Sequence, residues 1–215
     1  MAMPVFAALG QWLDNVSGME WLYFHLTGLR NLDFLRAALR FWDPEVHVFR
    51  FQGQELCPTV EEFQAYLGYN FLDNTIVPSL ECNMASLLTG FLGDRSREAA
   101  RILRGNALDI KRIVERFSMG PDGEVPNCHQ AALTICLLAT YILVETGGTV
   151  NSSLVGIARD VQQRKNVVPL ALAETLIGLD RVYSGATAIF EGAPLLLQVC
   201  FRNCSFPEVD CRTAV

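Results

Sequence analysis

The stretch FWDPEVHVFRFQGQELCPTVEEFQAYLG, residues 41–68, decides how the fold is arranged. Pro44 cannot continue a helix, and it pushes Asp43 out of the helical region of the backbone. Apolar side chains then alternate along the chain, and Gln52-Gly53 supplies a turn between two such runs. The stretch therefore predicts a β-hairpin over residues 46–57.

The second half of this stretch has the pattern of a short helix with both ends marked. Thr59 is followed three residues later by Glu62, which is the spacing of a capping box. Gly68 suits the left-handed position that closes a helix. Because an isolated two-stranded ribbon is only marginally stable in water, we expect the hairpin to pack against helices.

Helical patterns continue on both sides of the stretch. Residues 94–117 read as one or two helices interrupted at Gly105-Asn106. The predicted fold class is mainly α, a multi-helix globular domain with one small β-hairpin at about residues 46–57. The domain organisation that we expect is an N-terminal segment over residues 1–29, a helical domain over residues 30–201 and an irregular, truncated tail over residues 202–215.

The apolar run from Ala131 to Val144 is too short to cross a membrane. A spanning helix needs about 20 apolar residues, and Gln130 and Glu145 bound this run closely. We therefore predict a buried central helix and no membrane partner.

Composition limits the class of protein. Hydrophobic residues make up 51% of the 215 residues and charged residues 19%, which argues for a packed core rather than disorder. The net charge of −6 provides no general attraction to nucleic acid. The seven cysteines are scattered, and the N-terminus has no basic region followed by a long apolar run, which favours an intracellular protein, nuclear or cytoplasmic, over a secreted one.

Sequence motifs for metal, nucleophilic and phosphate chemistry are missing. The three histidines are far apart, and neither C-x-x-C, G-x-S-x-G nor a glycine-rich phosphate loop occurs. The two lysines, Lys111 and Lys165, lie in a charged helical pattern and a polar loop, which does not suit a Schiff base with pyridoxal phosphate. We expect no enzymatic activity, no cofactor, and no catalytic or metal-ligating residues.

An arginine-rich span between residues 95 and 116 is the strongest candidate for a binding surface. Its basic residues outnumber its three acidic residues, which gives a formal charge of +4. One interpretation is a surface for nucleic acid or an acidic partner, although the aromatic residues typical of single-strand binders are absent. The other is the solvated face of an amphipathic helix, with four apolar side chains pointing inward: Ile102, Leu103, Ile110 and Ile113. The candidate residues are Arg95, Arg97, Arg101, Arg104, Lys111, Arg112 and Arg116.

Glu174 lies between Leu172 and Leu176 in a largely apolar helical pattern. We expect it to be buried. It would then serve as a general acid or base, or anchor a hydrogen-bond network to Arg181 or to backbone amides.

Two blocks of the sequence resemble the plant mobile domain family, in its uncharacterised, retroelement-linked branch that often carries an aminotransferase-like label. The first block comprises FWDP, F-x-F and LCPTVEEF followed by YLG, all within residues 41–68; the second comprises VP at residues 168–169, LAET at 172–175 and FEGAPLLLQV at 190–199. The resemblance covers most of residues 30–201. The structural signature consists of Trp42, Asp43, Pro44, Pro58, Thr59, Glu62, Gly68 and Glu174.

The resemblance implies a helical domain derived from mobile elements, without established catalytic residues. Related members are implicated in nuclear silencing of transposons and in genome maintenance, some together with phosphatase-like partners. The leading hypothesis is therefore a non-enzymatic protein-interaction domain. A nucleic-acid-binding module that uses residues 95–116 is the first alternative, and an unrecognised enzyme is the second.

Overall fold

Helices account for most of the chain that the computed structural model describes, namely residues 32–68, 74–78, 83–93, 96–117, 127–144 and 149–203. A 3-10 turn, Leu39–Phe41, directly follows the helix Leu32–Ala38, and a π-helical segment, Leu138–Ile142, directly follows the helix Asn127–Leu137. The α-helices within these ranges are α1 Leu32–Ala38, α2 Val60–Leu67, α3 Met84–Leu92, α4 Ser96–Ile102, α5 Ile110–Phe117, α6 Asn127–Leu137, α7 Leu154–Gln162, α8 Val168–Tyr183 and α9 Pro194–Asn203.

Two small antiparallel sheets accompany the helices, each with three strands among the described residues. The first sheet has the order β1-β2-β3 and the second the order β4-β5-β6. The prediction of a mainly α fold with one hairpin was therefore wrong, because the fold is mixed α/β. The strands are β1 Trp42–Asp43, β2 Val48–Phe51, β3 Gln54–Leu56, β4 Leu103–Arg104, β5 Ala107–Asp109 and β6 Thr149–Asn151.

The first sheet contains the expected hairpin and one strand more. β2 and β3 are joined at Gln52-Gly53, where both residues have positive φ, as a tight hairpin turn requires. The additional strand follows from Pro44, because the extended backbone that proline imposes on Asp43 also lets Trp42 and Asp43 pair with β2.

The second sheet replaces the helix interruption that was predicted at Gly105-Asn106. Gly105 has φ +62°, and it turns the chain so that β4 pairs with β5 instead of continuing α4. β5 also pairs with β6, which comes from a distant part of the sequence. Leu108 in β5 is fully buried, so the strand faces the core.

Three core regions occur among the described residues, and a small one, which includes Phe63 and Leu196, lies between α2, α8 and α9. The largest one fills the space between α3, α5, α6 and α7 and includes Leu108 beneath the second sheet. Another lies between the first sheet, α1, α8 and α9. Its central side chain is Phe49, whose ring centroid is 4.7 Å from those of both Trp42 and Phe201.

The backbones of α8 and the segment leading into α9 are in direct contact. A side chain on Gly178 would overlap the carbonyl group of Glu191, and a Cβ on Gly192, whose φ is +118°, would lie 2.7 Å from the Cα of Thr175. Thr175 Oγ1 accepts a hydrogen bond from the Ala193 amide at 3.0 Å. Glycine is therefore required at both positions.

The two predicted end segments are only partly described. Residues 1–29 lie outside the described residues, while the predicted tail from residue 202 begins inside α9, which extends to Asn203. No helix among the described residues has the length and apolar character needed to cross a membrane.

Candidate functional site

Basic side chains from α4, β4 and α5 converge on a cavity of about 540 Å³, called here the basic cavity. The β4–β5 hairpin, which turns at Gly105, brings α4 back toward α5. Side chains from both helices therefore line one depression. The lining residues are Arg101, Ile102, Arg104, Asp109, Lys111, Arg112, Glu115 and Arg116.

Asp109 organises this cavity from its position at the end of β5. Its Oδ1 accepts a hydrogen bond from the backbone amide of Arg112 at 3.2 Å, which caps the first turn of α5. Its Oδ2 lies 3.2 Å from Arg112 Nε and 3.7 Å from Arg104 Nη2. One carboxylate therefore holds two guanidinium groups that reach it from different elements.

α5 supplies the rest of the charge because its two faces differ sharply. Ile113 and Phe117 are among the residues buried on the core side. On the other side, Lys111 Nζ lies 3.7 Å from Glu115 Oε1, one helical turn away. The Arg116 guanidinium lies 5.5 Å from the centre of the Phe117 ring, within range of a cation–π contact.

The basic cavity carries a net charge of +3, from five cations and two carboxylates, although the whole chain carries −6. The side chains of Arg104 and Lys111 are 61% and 65% exposed, so they face solvent and any partner. Planar guanidinium groups donate paired hydrogen bonds to carboxylate and phosphate groups. The cavity is therefore suited to binding an anionic group.

Five of the seven predicted surface residues meet in this cavity: Arg101, Arg104, Lys111, Arg112 and Arg116. Arg95 and the side chain of Arg97 lie outside the described residues. Three of the four apolar side chains predicted to point inward are buried, Ile102, Ile110 and Ile113, whereas Leu103 in β4 is half-buried. The part that sequence reasoning missed is the role of Asp109, although an aspartate just before a helical pattern is a recognisable N-cap signal.

The signature residues around α2 have structural roles. Thr59 Oγ1 accepts from the Glu62 amide at 3.2 Å, and Glu62 Oε2 accepts from the Thr59 amide at 3.1 Å, so the predicted capping box is confirmed. Gly68 ends the helix with φ +74°, also as predicted. Pro58, which precedes the N-cap, is buried.

Glu174 is exposed on α8, so the expectation that it is buried was wrong. The neighbouring Thr175 occupies the buried position, and its hydroxyl donates to the Ala171 carbonyl at 2.6 Å. Consecutive helical residues differ by about 100° in direction, so a shift of one residue moves a side chain from core to solvent. Arg181, the expected partner, pairs instead with Glu191 at 3.1 Å.

A second polar arrangement joins the first sheet to α8. Asp180 Oδ1 accepts from the Trp42 indole at 2.9 Å, and Asp180 Oδ2 lies 3.0 Å from His47 Nε2. Because an ionised carboxylate only accepts hydrogen bonds, both partners act as donors. Sequence reasoning missed this arrangement, since its members are distant in the chain and form no local motif.

Cysteine and metal chemistry gain little support from the described residues. Burial raises the pKa of the Cys136 thiol, and partial burial together with the nearby Glu62 carboxylate raises the pKa of Cys57. Both thiols are therefore less ionised near neutral pH than an ordinary cysteine. No group of three or more potential ligands that could hold a metal ion occurs in the described part of the chain.

Part of the chain matches the model of a known family. Residues 28–88 are similar to a family described as Domain of unknown function (DUF7745). This range includes the first sheet and α2 but ends before the basic cavity begins. No curated protein and no solved structure matches the chain.

Proposed function

We propose that this protein is a non-enzymatic interaction domain that binds an acidic segment of a partner protein through the basic cavity. The observation that carries the proposal is the convergence of four arginines and one lysine on a single depression whose net charge opposes that of the whole chain. Asp109 holds Arg104 and Arg112 in place, so less side-chain freedom is lost when a carboxylate binds.

The size of the charge favours a peptide over nucleic acid. Proteins that bind nucleic acid tightly through its backbone commonly neutralise about 6–10 phosphates. The basic cavity offers a net +3, and its lining residues include no aromatic side chain on which a base could stack. A peptide segment with two or three carboxylates matches this charge.

The biological setting of this proposal rests on the resemblance to plant mobile domains. We infer a transposon-derived domain that acts inside the cell, in the nucleus, in transposon silencing or genome maintenance. In that setting the domain recruits a partner and performs no chemistry itself.

Fluorescence polarisation with a labelled peptide that carries three glutamates tests the binding step. A double variant, Arg101→Glu with Arg104→Glu, reverses two exposed charges of the basic cavity and should weaken binding about tenfold or more. The matched control reverses Arg164 and Arg202, which are exposed and do not line the basic cavity, and it should bind nearly as well as the wild type.

Two outcomes would contradict the proposal. If the glutamate peptide does not bind the wild type even at low salt, and a glutamine version behaves identically, the basic cavity does not recognise carboxylates. If an oligonucleotide instead binds more tightly, with a log–log salt slope of about −3 that the double variant abolishes, the nucleic-acid alternative is correct.

A further inference from the structure

A second cavity, also of about 540 Å³, lies where the 3-10 turn after α1 meets the end of α8. It is called here the Phe41–Tyr183 cavity. The lining residues that matter below are Arg40, Phe41, Trp42, Glu45, Arg50 and Tyr183.

The buried side chain of Trp42 forms the floor of the Phe41–Tyr183 cavity, and a hydrogen bond to α8 holds it in place. Trp42 is only 3% exposed, and its indole donates to Asp180 on α8. Asp180 also accepts from His47 in the turn that follows β1. These contacts join α8 to the first sheet, and Tyr183 lies about one turn beyond Asp180 on the same helix.

Exposed aromatic side chains flank this floor. Phe41 is 45% exposed and Tyr183 is 54% exposed, and both line the same cavity. Val46, in the adjoining turn, is 53% exposed. Aromatic residues and arginines together are enriched in protein–protein interfaces, where they supply most of the binding free energy.

The charges at the rim are of both signs. Arg50 is paired with Asp43 at 2.6 Å and with Glu55 at 3.0 Å. Arg40 and Glu45 are exposed on the same rim, and among the described residues neither side chain forms an ion pair. Within the described part of the chain, this surface therefore presents one cation and one carboxylate without an ion-pair partner, beside two exposed aromatic rings.

We propose that a second copy of this chain covers the Phe41–Tyr183 cavity in a dimer with two-fold symmetry. In such a dimer the same surface meets itself, and in the arrangement that we propose Arg40 of each protomer faces Glu45 of the other, which forms the same ion pair twice. A partner of uniform charge would satisfy one of these residues and repel the other. The inference concerns a surface other than the basic cavity and does not rest on the proposed function.

Charge reversal tests the symmetry directly by sedimentation velocity over a range of concentrations. The Arg40→Glu variant alone brings two carboxylates together at each contact, and the Glu45→Arg variant alone brings two guanidinium groups together. Each single variant should weaken dimerisation about tenfold or more. An equimolar mixture of the two single variants should dimerise again, because the mixed dimer pairs a carboxylate-only surface with a guanidinium-only surface and both contacts become attractive.

Two controls separate this interface from general effects of charge and hydrophobicity. Arg164→Glu reverses an exposed charge in the loop that precedes α8, at the opposite end of that helix, and should leave dimerisation unchanged. Tyr183→Ala should also weaken the dimer, whereas Val77→Ala, at a residue 80% exposed elsewhere, should not. Circular dichroism confirms that each variant is folded.

Three results would overturn the inference. The first is a wild-type chain that stays monomeric at every accessible concentration. The second is a dimer that both single charge variants leave unchanged. The third is a pair of single variants that each weaken the dimer but do not associate when mixed, because a two-fold contact between Arg40 and Glu45 requires that rescue.

Discussion

The basic cavity and the Phe41–Tyr183 cavity have the same volume but opposite electrostatic designs. In the basic cavity, five cations surround a carboxylate, Asp109, that orients two of them and leaves the site positive. The Phe41–Tyr183 cavity balances its charges and exposes aromatic rings instead. A cavity with an excess of positive charge favours a negatively charged partner. A cavity with equal numbers of positive and negative side chains favours a partner surface that also carries both.

The largest change in stability should come from truncating a side chain in the core beneath the Phe41–Tyr183 cavity. Phe49 is fully buried between Trp42 and Phe201, so Phe49→Ala should lower the free energy of unfolding by about 3–5 kcal/mol. Urea denaturation measures the change. Leu108→Ala, the matching substitution beneath the second sheet, should cost about 2–5 kcal/mol, and a loss below about 1 kcal/mol in both variants would contradict the assigned cores.

A smaller effect should separate the two cavities. Asp180→Ala removes the acceptor of the Trp42 indole and should lower the free energy of unfolding by about 1–2 kcal/mol, since a buried donor loses its partner. Dimerisation should weaken, while binding of the glutamate peptide should not change. Asp180→Asn keeps an acceptor for the indole and should lose less stability; equal losses in the two variants would show that the indole bond contributes nothing.

The organising role of Asp109 can be tested at a similar scale. Asp109→Ala removes the N-cap of α5 and should destabilise the protein by about 1 kcal/mol in urea denaturation. Asp109→Asn preserves the capping oxygen and should retain most of that stability while it releases the charge pairing with Arg104 and Arg112. If the asparagine variant is as unstable as the alanine variant, ion pairing rather than capping explains the role of this residue.

The smallest expected effect is electrostatic. Glu115→Gln raises the net charge of the basic cavity to +4 and should strengthen binding of the glutamate peptide about twofold, because a carboxylate about 8 Å from a bound anion costs about 0.5 kcal/mol in a water-like dielectric. Polarisation titrations at low salt can resolve this change. Glu61→Gln, at an exposed position on α2, should have no effect on the affinity.

Features set by neighbouring residues could be predicted from the sequence. The capping box of α2 depends on Thr59 and Glu62, and the candidate residues of the basic cavity fall within one short span. The hairpin turn at Gln52-Gly53 is equally local. In the capping box and the hairpin turn, the interactions that determine the structure join residues only a few positions apart.

Features set by distant pairing could not be predicted in this way. The strands β4 and β5 are only two and three residues long, and β5 gains its second partner, β6, from beyond α5 and α6. Gly105-Asn106 was therefore interpreted as a helix break rather than a hairpin turn. Asp180 meets Trp42 and His47 only after the chain has folded. Glu174 was misplaced because an apolar pattern on all sides of a helix does not indicate which residue faces the core.

The contact between α8 and the segment before α9 limits which sequences this fold accepts. Gly178 and Gly192 leave no room for a methyl group, because each faces backbone atoms that cannot rotate away. In a library that samples every amino acid at every position, these two sites should reject every alternative, including alanine. Relatives that preserve this helix pairing should therefore be recognisable by two glycines, even where the charges of both cavities have diverged.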